Sequence, residues 1–371
     1  MKSVTVNTNT KSYKVHIGYN IFQSFSIYFG KLKLSKRVFV LVDKNVDRIY
    51  GSSIKKIINA FTDKKTYFVL EASEKIKSLS TSKQIYEKII AEKFGRDTVL
   101  IAIGGGTIGD LAGFVASTFM RGVQLIHIPT TLLSSVDSSV GGKTGINFNK
   151  AKNIIGTFYQ PELVLIDTKF LKSLPEEELN SGFGEVIKYS YLTGKKFYSA
   201  LLSKHKLLLK KDQEFLKKII YESVRIKSAI VSSDEKEESG LRKILNFGHT
   251  FAHAYESSSS YQLSHGKAVI AGIVSALFLS FEYKLINEKQ LNSMFELPMK
   301  FIPSINIKKI NAETIFTKMQ HDKKAKGGKI QFILLKDFGE MLVDVPIDNK
   351  SIKKALRKTE QIWFKMATAG L

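Results

Sequence analysis

Thr98-Val-Leu-Ile-Ala-Ile103 runs straight into Gly104-Gly-Gly-Thr-Ile-Gly109, and this junction decides the fold. The first six residues are a continuous apolar run, bounded by polar residues and glycines, which suits a strand buried on both faces as in parallel sheets. The glycines fit G-x-G-x-x-G and open a helix over Leu111–Thr118. At such a turn glycine lets the backbone approach a phosphate, and the helix N-terminus adds free N–H groups and a partial positive charge. Alone the pattern is weak. A dinucleotide fingerprint sits on the first strand of its domain and carries a ribose-binding acid ~20 residues later, at the end of the next strand. Here that strand ends Ile128-Pro-Thr-Thr131, without an acid. A plain strand-to-helix turn therefore stays open. Asp43, at the end of an earlier strand, leaves room for a nucleotide lying across the strand ends.

Working outward, Arg37–Asp43, Thr66–Leu70, Leu125–Ile128 and Leu163–Ile166 read as further strands, and Gly51–Phe61 and Thr81–Phe94 as helices between them. Strands alternating with helices predict a doubly wound parallel sheet. Beyond Gln160-Pro161 the spacing turns helical to about residue 290, while Ile330–Leu335 and Glu340–Val345 fit a late hairpin. The expected architecture is a Rossmann-like α/β domain over residues 1–160 followed by a mainly α-helical domain over 161–371.

Composition narrows the function. The 371 residues contain 57 Lys and Arg against 34 Asp and Glu, a net charge of +23. The excess is spread as lysine pairs such as Lys55-Lys56 and Lys217-Lys218 rather than gathered into a basic face with aromatic residues between, which argues against nucleic acid and for a solvated surface. An anionic small substrate also benefits from such a field. No apolar stretch reaches the ~18–20 residues needed to span a bilayer, and the N-terminus lacks the apolar core of a signal peptide. A soluble, cytoplasmic protein is expected. There are no cysteines, so a metal site must be built from His, Asp and Glu.

Two further stretches carry chemistry. Val136-Asp-Ser-Ser-Val-Gly-Gly-Lys-Thr-Gly145 contains Gly-Gly-Lys-Thr, but Asp137 stands where a phosphate-binding Walker loop requires its first glycine. What remains is a loop with many backbone donors, Lys143, and then Lys152-Asn153, able to hold an oxyanion or merely to be solvated. Asn246-Phe-Gly-His-Thr-Phe-Ala-His253 and Leu263-Ser-His-Gly266 place three of the seven histidines within seventeen residues. His249 and His253 are four apart, on one helix face, at the spacing of zinc-binding helices. With cysteine absent the remaining ligand should be a carboxylate, and Glu185 in Gly182-Phe-Gly-Glu-Val-Ile-Lys188 is a candidate.

The runs GGGTIGDLAGFVASTFMRG, IPTTLLSSVDSSVGGKTGIN, KNIIGTFYQP, SGFGEVIKY, LRKILNFGHTFAHAYE and LSHGKAV occur in this order between about Asp43 and Lys324. Together they resemble the 3-dehydroquinate synthase family of sugar-phosphate cyclases. The resemblance implies NAD, one divalent metal (zinc or cobalt), a homodimer, and a small anionic sugar phosphate, 3-deoxy-D-arabino-heptulosonate 7-phosphate. It implies transient oxidation of a hydroxyl, phosphate elimination, re-reduction and an intramolecular aldol closure, the step of the shikimate pathway that makes 3-dehydroquinate.

Matched motif to motif, the resemblance implies metal ligands at Glu185, His249 and His265, whereas helix spacing alone favours His249 with His253. Cofactor contacts fall on Asp43, Glu74, Lys77, Gly105, Gly106, Asp110, Thr130, Thr131, Lys143 and Lys152. Catalytic and substrate contacts fall on Arg121, Asp137, Lys143, Asn153, Lys188, Lys227, Arg242, Asn246 and His253, with one of Lys323 and Lys324, of which Lys324 is preferred. So many cations suit a substrate with both a carboxylate and a phosphate. Gly184 and Ala252 stand where the family leads one to expect alanine and glycine. The nearest rival is another sugar-phosphate cyclase, of the valiolone or deoxy-inosose synthase type; Lys227, Arg242 and Asn246 favour a substrate acid. A polyol dehydrogenase releasing NADH is a more distant rival, opposed by the phosphate-binding lysines.

Overall fold

The computed structural model describes residues 1–149, 151–259, 262–302, 311–325 and 330–368, without the side chains of 321–325 and 366–368. The chain forms two compact units, Met1–Leu179 with Lys211–Lys236, and Asn180–Lys210 with Glu237–Leu371.

In chain order the first unit contains β1 (Lys2–Asn7), β2 (Ser12–Gly18), α1 (Phe25–Lys31), β3 (Arg37–Asp43), α2 (Lys44–Asn59), β4 (Lys64–Leu70), α3 (Leu79–Ala91), β5 (Val99–Gly104), α4 (Gly106–Thr118), β6 (Gln124–Pro129), β7 (Lys143–Phe148), β8 (Ala151–Phe158) and β9 (Leu163–Asp167). α5 (Glu176–Tyr191) leads out of it. α6 (Lys195–Lys204) and α7 (Lys206–Leu209) belong to the second unit, and α8 (Gln213–Ser233) returns to the first. α9 (His249–Ser258), α10 (His265–Glu282), α11 (Glu288–Met299), α12 (Ala312–Ala325), β10 (Gln331–Asp337), β11 (Glu340–Pro346) and α13 (Asn349–Thr368) complete the second.

The main sheet has the order β1-β2-β9-β6-β5-β3-β4, antiparallel between β1 and β2 and parallel elsewhere. Its centre is apolar on both sides because side chains alternate along a strand. From β3, Phe39 and Leu41 pack with Ile85 and Ile89 of α3 and Leu111 and Val115 of α4. Val38, Val40 and Val42 pack on the opposite face with Phe25 and Phe29 of α1 and Ile54 and Ile58 of α2. Burial of each such side chain is worth about 1.5–3 kcal/mol, so the strand cannot slip by one residue without exchanging two sets of contacts.

Three sequence expectations need correction here. α2 begins at Lys44 rather than Gly51, because Oδ1 of Asp43 caps it, accepting from the backbone N–H groups of Asn45 (2.8 Å) and Val46 (3.2 Å). The stretch expected as a loop over 136–145 is ordered: Ser134–Ser138 is a π-helical turn, and β7 pairs with β8, burying Ile146 beneath α4. The boundary at 160/161 falls too early. β9 supplies the parallel neighbour of β2 and β6, and α8 packs on β1 and β2, so both stay with the sheet.

In the second unit α10 is buried almost throughout, and α9, α13 and β10 pack against it. A chain of buried hydroxyls ties three of these helices together: Tyr255 to Ser275 at 3.0 Å and Ser275 to Thr359 at 3.0 Å. Among the described residues α10 is the one helix long and apolar enough to cross a membrane, but 78% of it is buried within the protein, as in a core helix. The expected late hairpin is present as the antiparallel pair β10–β11.

Candidate functional site

In the sheet unit Gly105, Gly106, Asp110 and Thr131, four of the predicted cofactor residues, lie at or against the first turns of α4. Gly105 is its N-cap; a Cβ there would lie 3.0 Å from Cγ2 of Thr131, and one on Gly106 would lie 2.9 Å from Oγ of Ser138. The two glycines thus keep open a cradle beside a helix N-terminus, as a pyrophosphate requires. Thr131 is held by hydroxyl contact with Ser134 at 2.8 Å, and Thr130 N–H donates to Gly104 O at 2.9 Å. The nearly buried Lys77 donates to Asp110 Oδ2 at 2.7 Å and to Asn153 Oδ1, and its ammonium lies 3.9 Å from Glu74. Burial raises the Asp110 carboxyl above its ordinary range, and the charge and hydrogen bond of Lys77 oppose the rise. Lys227 donates to Asp137 Oδ1 at 2.6 Å and to its carbonyl at 2.9 Å.

Lys143 opens β7 and Lys152 lies on β8; both are exposed, where an anion can reach them. Met120 and Arg121 are consecutive left-handed residues, φ 49° and 66°, and Asn153 has φ 55°. Each such residue costs on the order of 1–3 kcal/mol and persists only where its surroundings demand it, commonly at functional sites.

In the helical unit three ligand-type side chains from three helices converge. Glu185 of α5 is fully buried, and its Oε1 lies 3.1 Å from Nε2 of His265, the first residue of α10, and 3.5 Å from Nε2 of His249, the first residue of α9. One ligand atom from each lies within 4.8 Å of the others. The second oxygen of Glu185 pairs with Lys188, which is 2% exposed. His253 is exposed, its ring centroid 5.7 Å from that of His249 and nearly perpendicular to it, and it is not part of this group. Arg242 is buried and Asn246 exposed on the turn Leu241–Asn246. Lys324 lies on α12, but its side chain, like that of Lys323, is outside the described residues.

Electrostatics suit a cation. Burial opposes the charge on Glu185, but the Lys188 ammonium and hydrogen bonds from His249 and His265 hold it well below the usual carboxylate range. Burial likewise opposes charge on His265, yet Glu185 and Glu256 push it up to about 10. His249 is lowered by burial and then by Lys188. A buried carboxylate and two imidazoles whose donor atoms converge fit a zinc- or cobalt-type site with positions left for substrate. Glu256, which approaches His265, is not among the residues sequence reasoning selects; its spacing of seven from His249, the same face of α9, is the signal that marks it.

α5 and α10 approach more closely than side chains allow. A Cβ on Gly266 would lie 1.6 Å from Ser181 O, and one on Gly184 would lie 2.3 Å from Gly266 O. Glycine at 184 is therefore not equivalent to the alanine the resemblance leads one to expect: it lets the Glu185 helix seat against the His265 helix.

Residues 67–181 match the 3-dehydroquinate synthase N-terminal family and residues 182–325 the 3-dehydroquinate synthase C-terminal family. The chain is 40% identical over 363 residues to the 3-dehydroquinate synthase of Pelagibacter ubique, covering 95% of this chain and 97% of the relative. Among solved structures it is similar to 2-deoxy-scyllo-inosose synthase complexed with carbaglucose-6-phosphate, NAD+ and Co2+ (TM-score 0.86, 24% identity, 96% of this chain and 99% of the other). It is also similar to 2-epi-5-epi-valiolone synthase from Streptomyces hygroscopicus with NAD+ and Zn2+ bound (TM-score 0.85, 23% identity, 95% and 97%). At those identities the structures speak for the fold, and the relative from Pelagibacter, with both matched domains, speaks for the family. By these matches the chain belongs to the 3-dehydroquinate synthase family.

Proposed function

We propose that the chain catalyses the 3-dehydroquinate synthase reaction, closing 3-deoxy-D-arabino-heptulosonate 7-phosphate to 3-dehydroquinate with release of phosphate. The observation that carries this reading is the convergence of Glu185, His249 and His265 in a chain 40% identical to a protein of that name. The cyclases for inosose and valiolone share the fold at 24% and 23% identity, a more distant relation than the 40%.

Glu185, His249 and His265 would hold the divalent ion. Asp43 uses Oδ1 to cap α2, so its second oxygen is the one to accept from a ribose hydroxyl, with Glu74 as a further acceptor, while Gly105 and Gly106 admit the pyrophosphate. The chemistry these groups would supply when bound is polarisation of a substrate hydroxyl by the metal and reversible hydride exchange by NAD, with neither consumed. Lys188, Arg242 and Asn246 in the helical unit offer charge and hydrogen bonds of the kind an acid carrying a phosphate requires, and within the sheet unit Arg121 and Lys143 offer charge of the same kind. His253 is suited to move a proton or to donate to the phosphate. The homodimer belongs to the same reading.

The test is product analysis. With the heptulosonate phosphate and catalytic NAD, inorganic phosphate accumulates while absorbance in the NADH band shows no net rise. NADH released in step with turnover would instead make the chain a polyol dehydrogenase and overturn the reading.

Metal binding should also depend on pH. With its pKa raised to about 10, His265 is protonated at neutral pH in the metal-free protein, so an incoming ion must displace that proton. Apparent zinc affinity therefore rises by up to about tenfold per pH unit from about pH 6 to about pH 8, with close to one proton released from this ring per ion bound. Chelator competition across that range checks it; an affinity independent of pH would contradict the assignment of His265.

A further inference from the structure

The two imidazoles that face Glu185 are oriented by different means. A ring nitrogen facing a carbonyl or a carboxylate can only donate, so the hydrogen there is assigned by the partner. His249 turns Nδ1 to the backbone carbonyl of Phe247 at 3.3 Å, an acceptor that no side-chain substitution removes. His265 turns Nδ1 to Oε1 of Glu256 at 3.4 Å, while its Nε2 lies 3.1 Å from Glu185. Glu256 is 9% exposed and sits on α9 seven residues after His249, so one helix face carries both a ligand-type histidine and the acid that reaches the other histidine. His265 stands at the first turn of α10, where no preceding helical turn packs against its ring. Of the two histidines it is the one whose ring orientation rests on a replaceable group.

We propose that Glu256 is a positioning residue of the metal centre: it accepts from Nδ1–H of His265 and so keeps Nε2 turned toward Glu185 and His249, the nitrogen left for the ion. This rests on the reading of Glu185, His249 and His265 as a divalent-metal site. A carboxylate behind a histidine ligand fixes the ring and raises the basicity of the nitrogen that meets the metal, and losing such a partner ordinarily costs ~10–100-fold in metal affinity.

The test uses the full chain, stripped of metal and titrated with Co2+ alone against a competing chelator, reading the dissociation constant and the visible cobalt absorption bands. Wild type is compared with Glu256→Leu, which keeps the bulk but accepts nothing, and with Glu256→Gln, which still accepts through its amide oxygen. Glu256→Leu is expected to bind Co2+ ~10–100-fold more weakly with altered bands, and Glu256→Gln to recover most of the loss. A general loss of stability would lower the melting midpoint yet leave the cobalt bands of the loaded protein as in wild type, so the bands separate positioning from a purely structural role. A Leu variant with wild-type affinity and bands overturns the inference and leaves the metal site standing. A wild type that takes up no Co2+ overturns both. Should the Leu variant fail to fold, the Gln variant decides: an affinity reduced ~3-fold or more supports the inference, and one equal to wild type overturns it.

Discussion

His253→Ala keeps its metal and loses turnover by about 10²–10⁴-fold, the range for a positioned acid–base group, while His265→Ala and Glu185→Ala emerge from dialysis without metal. The i, i+4 relation of His249 and His253 would make them a ligand pair if helix spacing were the guide. The third partner argues otherwise. Nε2 of His249 and Nε2 of His265 both face Oε1 of the buried Glu185, whereas His253 is exposed with its ring turned nearly perpendicular to that of His249. An imidazole in that place stands outside the converging ligand atoms, which fits the role toward substrate proposed for it. With either Glu185 or His265 removed, two ligands remain, too few to retain a divalent ion through dialysis. Elemental analysis of the dialysed variants, with steady-state kinetics for His253→Ala, tests both halves. A metal-free His253→Ala beside a metal-loaded His265→Ala would sink the assignment.

Lys188→Met destabilises the metal-free protein by about 3–5 kcal/mol, and saturating zinc returns much of that loss. Glu185 and Lys188 are 0% and 2% exposed and form an ion pair one helical turn apart. Deleting the ammonium leaves Oε2 of the carboxylate in the interior without the charge it pairs with, while the protonated His265 faces Oε1. A divalent ion held by Glu185 would replace the missing charge, so the defect should shrink as metal is added. Denaturant midpoints measured with and without zinc give the result. An equal loss in both conditions would mean that zinc does not compensate Glu185, which counts against its role as a ligand.

The doubly wound sheet was legible because β3 from Val38 to Val42 and β5 throughout carry no polar side chain, a pattern that buried parallel strands share and that polar interruptions would spoil. The edges were harder to read. β1 and β2 alternate short apolar and polar residues, Val4 and Val6 then Tyr13, Val15 and Ile17, in a stretch whose lysines and threonines also suit a tail, so no strand was expected there. β7 and β8 were hidden by their glycines, which signal a loop even where Thr144 and Ile146 pack inward.

Of the metal group, His249 was visible from its helix, and Glu185 from the lack of cysteine. His265 was visible only as one of three histidines within seventeen residues, and its choice over His253 came from the resemblance, since periodicity within one helix says nothing about which other helix start will face it. Glu256 was legible in principle, seven residues from His249, but an acid on a helix is ordinarily solvated, and only its 3.4 Å approach to His265 distinguishes it. The tight seat of Gly184 against Gly266 left no trace in the pattern, because a missing Cβ carries no periodicity.

The place of α8 in the sheet unit bears on how the chain matures as it leaves the ribosome. The last strand of the sheet ends at Asp167, yet the helix that packs on β1 and β2 is not finished until Ser233. At about 5–20 residues per second, several seconds of synthesis separate the two. During that interval the nascent sheet has all its strands while the buried face of β1 and β2, Val6 and Val15 among it, still lacks its cover. A fragment cut at the boundary near residue 180 would keep that bare face permanently, so the nucleotide-type half of this chain is not an autonomous N-terminal module, and dissecting it requires α8 to be spliced back on.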